Sequence, residues 1–479
     1  MPFSEEYGRM RTLQMAVREE TAAFDENLVQ YVWQDQMFSG DNLETADGRK
    51  LEIISPGWWN RSEGPDFQNA QIRFNGSLRT GDVEIHLHHG AWRQHGHHQD
   101  PRYDEVMLEV VLASTPPPEL PRTSAGKPIP VLLLSNYLEQ DLTELAMQAD
   151  IAEYPFDGAF NFGRCGAFVE KYGAEDVGRL AELAGDWRLL MKSQAMSSRI
   201  ERAGVDQTLY EAFLTACGYS RYKTHFRLIA RNLPYDRVRQ LALRNPMLVE
   251  AAFLQLAGLL PETLPDDAEP NAHFERLQKL RRDELSGLRA LPLTWNRGGT
   301  RPNNYPERRL AGAARVLART SKEGFSAAVS EVWTKNLTPV ARRKAFEALF
   351  PSALGFWAEH CTWTGKRMKR PVAPLGPGRI RAIVGNVFVP IELALARRLR
   401  NRDLEEKVFQ FFAKLPKESD NHIVDRMIPR IFRDEPPKRL TFRVQQGMIQ
   451  LYQDWCEPNP SCSNCPVVPF LDQGAKNTP

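Results

Sequence analysis

The stretch GPDFQNAQIRFNGSLRTGDVEIHLHHGAWRQHGHHQDPRYDEVMLEVVL, from Gly64 to Leu112, decides the fold. Inside it, GDVEIHLHH alternates. Val83, Ile85 and Leu87 share one parity, and Asp82, Glu84, His86 and His88 share the other. Successive side chains of a strand point to opposite faces. The segment therefore predicts a strand with one aliphatic face and one face of carboxylates and imidazoles. Upstream, QNAQIRF puts Ala70, Ile72 and Phe74 on one parity, and LEIIS around Ile53 continues the pattern. Downstream, VMLEVVL (Val106 to Leu112) is almost wholly apolar, as in a strand covered on both faces. Glu109 interrupts that run, and a lone carboxylate there needs a partner or a metal.

Outward from this stretch the organisation reads as α+β. Helical spacing of Leu28, Val32 and Trp33 in ENLVQYVWQDQMF predicts a leading helix from Glu26 to about Phe38. After the Pro-rich STPPPELPRTSAGKPIP, VLLLSNYL predicts a further strand running into a helix. From about Ala174 apolar residues recur every three and four positions, with Gly and Pro at the helix ends. We expect a mixed α/β N-terminal domain with a small central sheet over 21–150. A large all-helical region over 174–455 and a Cys-containing tail over 456–470 follow it.

Composition narrows the class. The chain has 479 residues, enough for two or three domains, and its apolar share suits a globular protein. No apolar run approaches a membrane span, so no membrane partner is expected. MPFSEEYGRMRTLQ has acids and no apolar core, so no signal peptide is expected and the cytoplasm is the expected compartment. Six cysteines in a chain this long do not make a disulfide framework. Charge is balanced overall but not locally. Between Cys361 and Arg402 ten residues are basic and Glu392 is the single acid. Such a block suits a polyanion, through release of its counterions, or a solvated helix face.

Four groups of residues can carry chemistry. Asp66 and Glu84 stand on neighbouring predicted strands, which lie about 5 Å apart, so the two carboxylates can share a divalent ion. His86 projects from the face of Glu84 as a general base or ligand, and Glu26 on the leading helix can approach the same point. Six of the ten histidines fall between His86 and His98. HGHHQD adds His95, His97 and Asp100, and with His88 these suit Zn²⁺ or Mn²⁺. The spacing leaves open which of His95, His97 and His98 turns inward. In the tail, Cys456, Cys462 and Cys465 form C-x5-C-x2-C, a set for Zn²⁺ or an iron–sulfur cluster that is one ligand short. Cys361, His360 or Cys165 completes it only if the fold brings one near. Finally, Arg297, Arg301, Arg308 and Arg309 of WNRGGTRPNNYPERRL suit phosphate or, the reading favoured, pair with acids in an interdomain loop; Lys366, Arg367, Lys369 and Arg370 belong to the basic block that suits a polyanion.

The run GPDF…GDVEIH…W..HGH..D..Y..V resembles an uncharacterised bacterial family of unknown function. DQTLYEAFLTACGYSRYKTHFRLIARNLP, TRPNNYPERRLAGAA, GNVFVPIELALA and QQGMIQLYQDWC…CSNC carry the same likeness, in order and over nearly the whole chain. The order helix, strand, strand with Asp, strand with Glu-x-basic, helix, strand is also similar to the core of PD-(D/E)XK phosphodiesterases. That resemblance implies Asp66 at the first acidic position, Glu84 at the second and Glu26 as the acid on the leading helix. It departs at His86, where that family has Lys.

The expectation is a metal-dependent phosphodiesterase acting on nucleic acid. It would bind Mg²⁺ or Mn²⁺, with Zn²⁺ a further option, at the Asp66, Glu84 and His86 site. A non-catalytic nucleic-acid-binding or scaffold protein with a structural metal is the alternative. A cupin-type sandwich using His86 and His88 ranks third.

Overall fold

The computed structural model describes residues 26–34, 36–40, 42–60, 63–113, 115–138, 173–265, 271–298, 300–418, 421–433 and 440–456, with positions 7, 8, 11, 165, 166, 169, 465 and 467. Among these, seven strands form one sheet: β1 (Leu43–Glu44), β2 (Lys50–Ser55), β3 (Trp58–Trp59), β4 (Phe67–Phe74), β5 (Ser77–His86), β6 (Val106–Val111) and β7 (Val131–Leu133). Their order is β1-β2-β4-β5-β6-β7, with β3 paired to β4. The pairs from β1 to β5 are antiparallel, and β5-β6 and β6-β7 are parallel. Asn75 and Gly76, both at positive φ, make the tight turn between β4 and β5, the conformation an Asn-Gly pair adopts most readily. The sheet is mixed and open, which overturns the cupin reading.

The alternation in β5 sets what each face does. Helix α1 (Glu26–Gln34) lays Val29, Val32 and Trp33 on one face, against Ile72, Val83, Ile85 and Leu108. The helix is shorter than its spacing predicts. Gln36 adopts a positive φ of 51°, which an α-helix cannot continue through. Glu84 and His86 turn to the other face. There the crossover from β5 to β6 covers them with a short helix α2 (Ala91–Gln94) and 3₁₀ turns at His97–Gln99 and Pro101–Tyr103. Trp92, Tyr103, Val106 and Ile129 form a small core beneath that crossover. VLLLSNYL becomes β7 followed by a 3₁₀ turn, Leu134–Tyr137.

From residue 174 the described chain is helical. Helix α3 (Ala174–Ala203) runs beside the helix Phe442–Leu451, and they meet at Gly185 and Gly447. A Cβ on either glycine would run into the backbone of the opposite helix. Helices α4 (Val205–Cys217) and α5 (Tyr219–Asn232) follow. Helix α5 meets the sheet-bearing part of the chain: Thr224 Oγ1 donates to Gln34 O at 2.9 Å, and the His225 ring lies 5.8 Å from that of Trp58. No described helix is long and apolar enough to cross a membrane.

Candidate metal centre

The parallel pairing of β5 and β6 places Glu84 opposite Glu109 and His86 opposite Val111. His86 Nδ1 and Glu109 Oε1 lie 2.7 Å apart in a hydrogen bond, both groups buried. The lone carboxylate of VMLEVVL thus has its partner. Since Nδ1 is engaged, Nε2 is the nitrogen that His86 presents to the site, the arrangement by which outer carboxylates orient ligand imidazoles. His97, buried on its 3₁₀ turn, presents Nε2 3.2 Å from Glu84 Oε1, and His86 Nε2 lies 3.7 Å from the same oxygen. Neither nitrogen makes a hydrogen bond. His95, more exposed, completes a triad: His86, His95 and His97 each offer a ring nitrogen within 4.8 Å of the others.

The aromatic residues of the crossover hold this geometry. Tyr103 stacks on His97 with ring centroids 3.9 Å apart, and Trp92 meets the edges of both His86 and His97. Trp92 is itself fixed by its indole N–H, which donates to Arg122 O at 3.0 Å.

Asp66 sits at the entry to β4 and ties the site to the sheet. Its backbone N–H donates to Glu84 Oε2 at 2.9 Å, and its Oδ2 accepts from the backbone N–H of Ile85 at 3.0 Å. Its Oδ1 accepts from Gln30 of α1 at 2.8 Å. Glu26, one helical turn before Gln30, adds negative charge to Asp66, Glu84 and His86.

The electrostatics describe a site short of positive charge. Burial, and then the Glu84 carboxylate, raise Asp66 to about 8. Burial raises Glu84 to about 8, with Glu26 and Glu109 adding to it. Burial also raises Glu109 to about 8. Burial drives His86 down to about 3 and lowers His97. No Lys or Arg among the described residues is bonded to Asp66, Glu84 or Glu109. A divalent cation would offset the burial cost of the carboxylates and take the two open imidazole nitrogens. Imidazoles with carboxylate suit Zn²⁺, Mn²⁺ or Fe²⁺ better than Mg²⁺, which prefers oxygen ligands and retained water.

The other candidates are dispersed. His88 lies close enough to act on His86 and Glu109, but the triad is built without it. Asp100 is taken by Arg102. Arg308 is wholly buried and donates to Val372 O and His360 O, so it is corrected from a phosphate contact to a core residue. Arg301, Lys366, Arg367, Lys369 and Arg370 are exposed, with Arg367 paired to Glu359. Cys462 lies outside the described residues. Cys456 and Cys165 pack against the buried cluster that contains Cys465, whereas Cys361 lies elsewhere, beside Asn303, Arg308 and Met368. Sequence reasoning did not single out Gln30 or Trp92 as site residues. Gln30 had a signal, since it follows Glu26 by four residues on one helix face.

Searches among curated proteins and among solved structures returned no match. A family model does match, over residues 26–421, taking in the sheet, the histidine crossover and most of the helical region but not the C-terminal cysteines. On that coverage the chain belongs to the family described as protein of unknown function (DUF2851).

Proposed function

We propose that the chain is a metal-dependent phosphodiesterase acting on nucleic acid, with its reaction centre at Asp66, Glu84, His86 and His97. One observation carries the reading. Two imidazole nitrogens without hydrogen bonds, His86 Nε2 and His97 Nε2, converge on the buried Glu84 carboxylate, to which no Lys or Arg among the described residues is bonded. The element order supports it too: α1, β2, β4 led by Asp66, β5 carrying Glu84-x-His86, a short helical crossover, then β6.

Glu84, His86, His95 and His97 are the residues to hold the cation. Bound there, it would polarise a phosphoryl oxygen and lower the pKa of a water. Glu109 keeps His86 Nε2 turned to the site. Asp66 positions Glu84 through its backbone N–H and supplies negative charge beside it. Glu26, near the same point, is the candidate to accept a proton from attacking water. The cytoplasm, where thiols stay reduced, is the compartment this reading implies.

The cysteine tail is a separate proposal, a zinc or iron–sulfur site with Cys456 and Cys465 as donors. Cys165 replaces Cys361 as the added ligand, because it packs on the same cluster.

The test is elemental analysis combined with a cleavage assay. Wild type purified without chelator should carry about one transition metal at the histidines and cut labelled oligonucleotides with Mn²⁺ or Zn²⁺. His97→Ala should lose that metal, and with it cleavage by about 100-fold or more, while keeping the wild-type helical circular-dichroism spectrum. Metal-loaded wild type that cuts no DNA or RNA would leave the non-catalytic scaffold as the surviving reading.

A further inference from the structure

A cavity of about 720 Å³ lies in the helical region, within the size range of small-molecule sites. Its wall is built by the helices Pro246–Leu256, Ala272–Glu284 and Pro306–Arg319 and by residues 351–356. Three arginines line it, Arg276 from the second of these helices and Arg315 and Arg319 from the third, and Glu250 is the single acid in the lining. None of the three arginines is paired with a carboxylate among the described residues. Arg276 Nε donates to Ala272 O at 3.1 Å, and Arg315 Nη1 donates to Leu354 O. Arg319 is exposed, and its guanidinium makes no hydrogen bond to the described residues. Arg315 and Arg319 stand four residues apart on one helix face, where like charges repel. The backbone makes room for the first of them: Gly355 has a φ of 77°, and a Cβ there would lie 2.7 Å from Arg315 Nη2.

Glu250 is engaged elsewhere. It is buried, and its Oε1 accepts from the Trp357 indole N–H at 2.8 Å and lies 2.6 Å from His273 Nε2. The carboxylate thus holds His273 by Nε2, and Nδ1 is the ring nitrogen left for a ligand. The imidazole stacks on Phe356 with centroids 5.3 Å apart and planes 14° apart, and both rings line the cavity. Pro246, Met247 and Ala318 extend the apolar part of the wall. A guanidinium fork fits a carboxylate or a phosphate. A single carboxylate offers two oxygens, whereas the terminal phosphate of a monoester offers three and two negative charges, which suits three arginines. The apolar wall calls for an organic ring on the other side of the ester.

We propose that this cavity binds a small phosphate monoester, its phosphoryl oxygens held by Arg276, Arg315 and Arg319 and its ring resting on Phe356 and Met247. No lining residue belongs to the sheet or to its histidine crossover, so the site stands apart from the phosphodiesterase reading.

The experiment is calorimetric titration of the full chain with phenyl phosphate, inorganic phosphate and phenol. Phenyl phosphate should bind saturably at one site, about tenfold more tightly than either of its parts. Arg319→Gln and Arg276→Gln should each weaken that binding by about tenfold, the loss of one charge-assisted hydrogen bond. Arg319→Gln removes a group that bonds to nothing in the described protein, so it should keep the wild-type circular-dichroism spectrum. His97→Ala, which alters the histidine site where phosphate could meet a metal, should bind phenyl phosphate like wild type. Absence of saturable binding, wild-type affinity in either arginine variant, or phenol or inorganic phosphate binding as tightly as phenyl phosphate would each overturn the proposal. Loss of binding in His97→Ala would move the phosphate to the histidines and overturn it as well.

Discussion

At the scale of single residues, the site turns on a carboxylate that touches no solvent. Glu109 is fully buried and bonded to His86 Nδ1, so it fixes which imidazole nitrogen faces the other histidines. Glu109→Gln keeps the shape and one hydrogen bond but removes the charge that makes His86 a stronger donor. It should weaken metal affinity by about 10- to 100-fold, read by competition with a chelating dye. Much of this level was legible in the sequence. The parity of Glu84 and His86 was plain from GDVEIHLHH, and Glu109 stood out as an acid in an apolar run. The choice of His97 over His98 was not legible, because it depends on a 3₁₀ turn that has no hydrophobic period. Arg308 misled for a related reason. The helix Pro306–Arg319 is buried on nearly every side at its start, so a residue that reads as a surface cation is turned into the core.

At the scale of elements, close approach sets the demands. The α3 and Phe442–Leu451 helices pack backbone to backbone at Gly185 and Gly447, where there is no room for a methyl group. Gly447→Ala should destabilise the chain by about 3 kcal/mol, although the same change in an isolated helix would stabilise it. Urea denaturation followed by circular dichroism measures this, and a variant as stable as wild type would show that the helices can part. Helical periodicity gave both elements but not their contact. Gly447 in RVQQGMIQLYQDW looks like an ordinary weak point in a helix until its neighbour is known. The strands were similar. The two-residue β3 at Trp58–Trp59 is too short to show any alternation, and its pairing with β4 is a tertiary fact.

At the scale of the whole molecule, His225 couples the sheet-bearing part to the helices. Its Nε2–H donates to Thr294 O at 2.9 Å, and its ring lies among those of Trp58, Tyr222 and Trp295. Burial lowers it to about 4 from an ordinary 6.5. A depressed pKa means that the unfolded chain takes up the proton first. The stabilisation is therefore complete above pH 6.5 and is lost as pH falls from 6.5 towards 4. Each pKa unit corresponds to about 1.4 kcal/mol, so this one residue accounts for about 3 kcal/mol over that window. His225→Gln can keep the bond to Thr294 O without titrating. Its stability should fall less steeply than that of wild type between pH 7 and pH 4, as read by chemical denaturation at each pH. The α+β division was visible in the change of period near residue 174, but this seam between the two parts was not, since His225 reads as one polar position in an amphipathic helix. The crossover between β5 and β6 has a consequence of its own. Its His95 and His97 face Glu84 and His86 of β5 across a gap that an ion would fill, so a bound ion would staple the crossover to that strand. Such a cross-link draws its strength from the freedom it denies the unfolded chain, and stripping the ion would loosen this one span before any other part of the sheet.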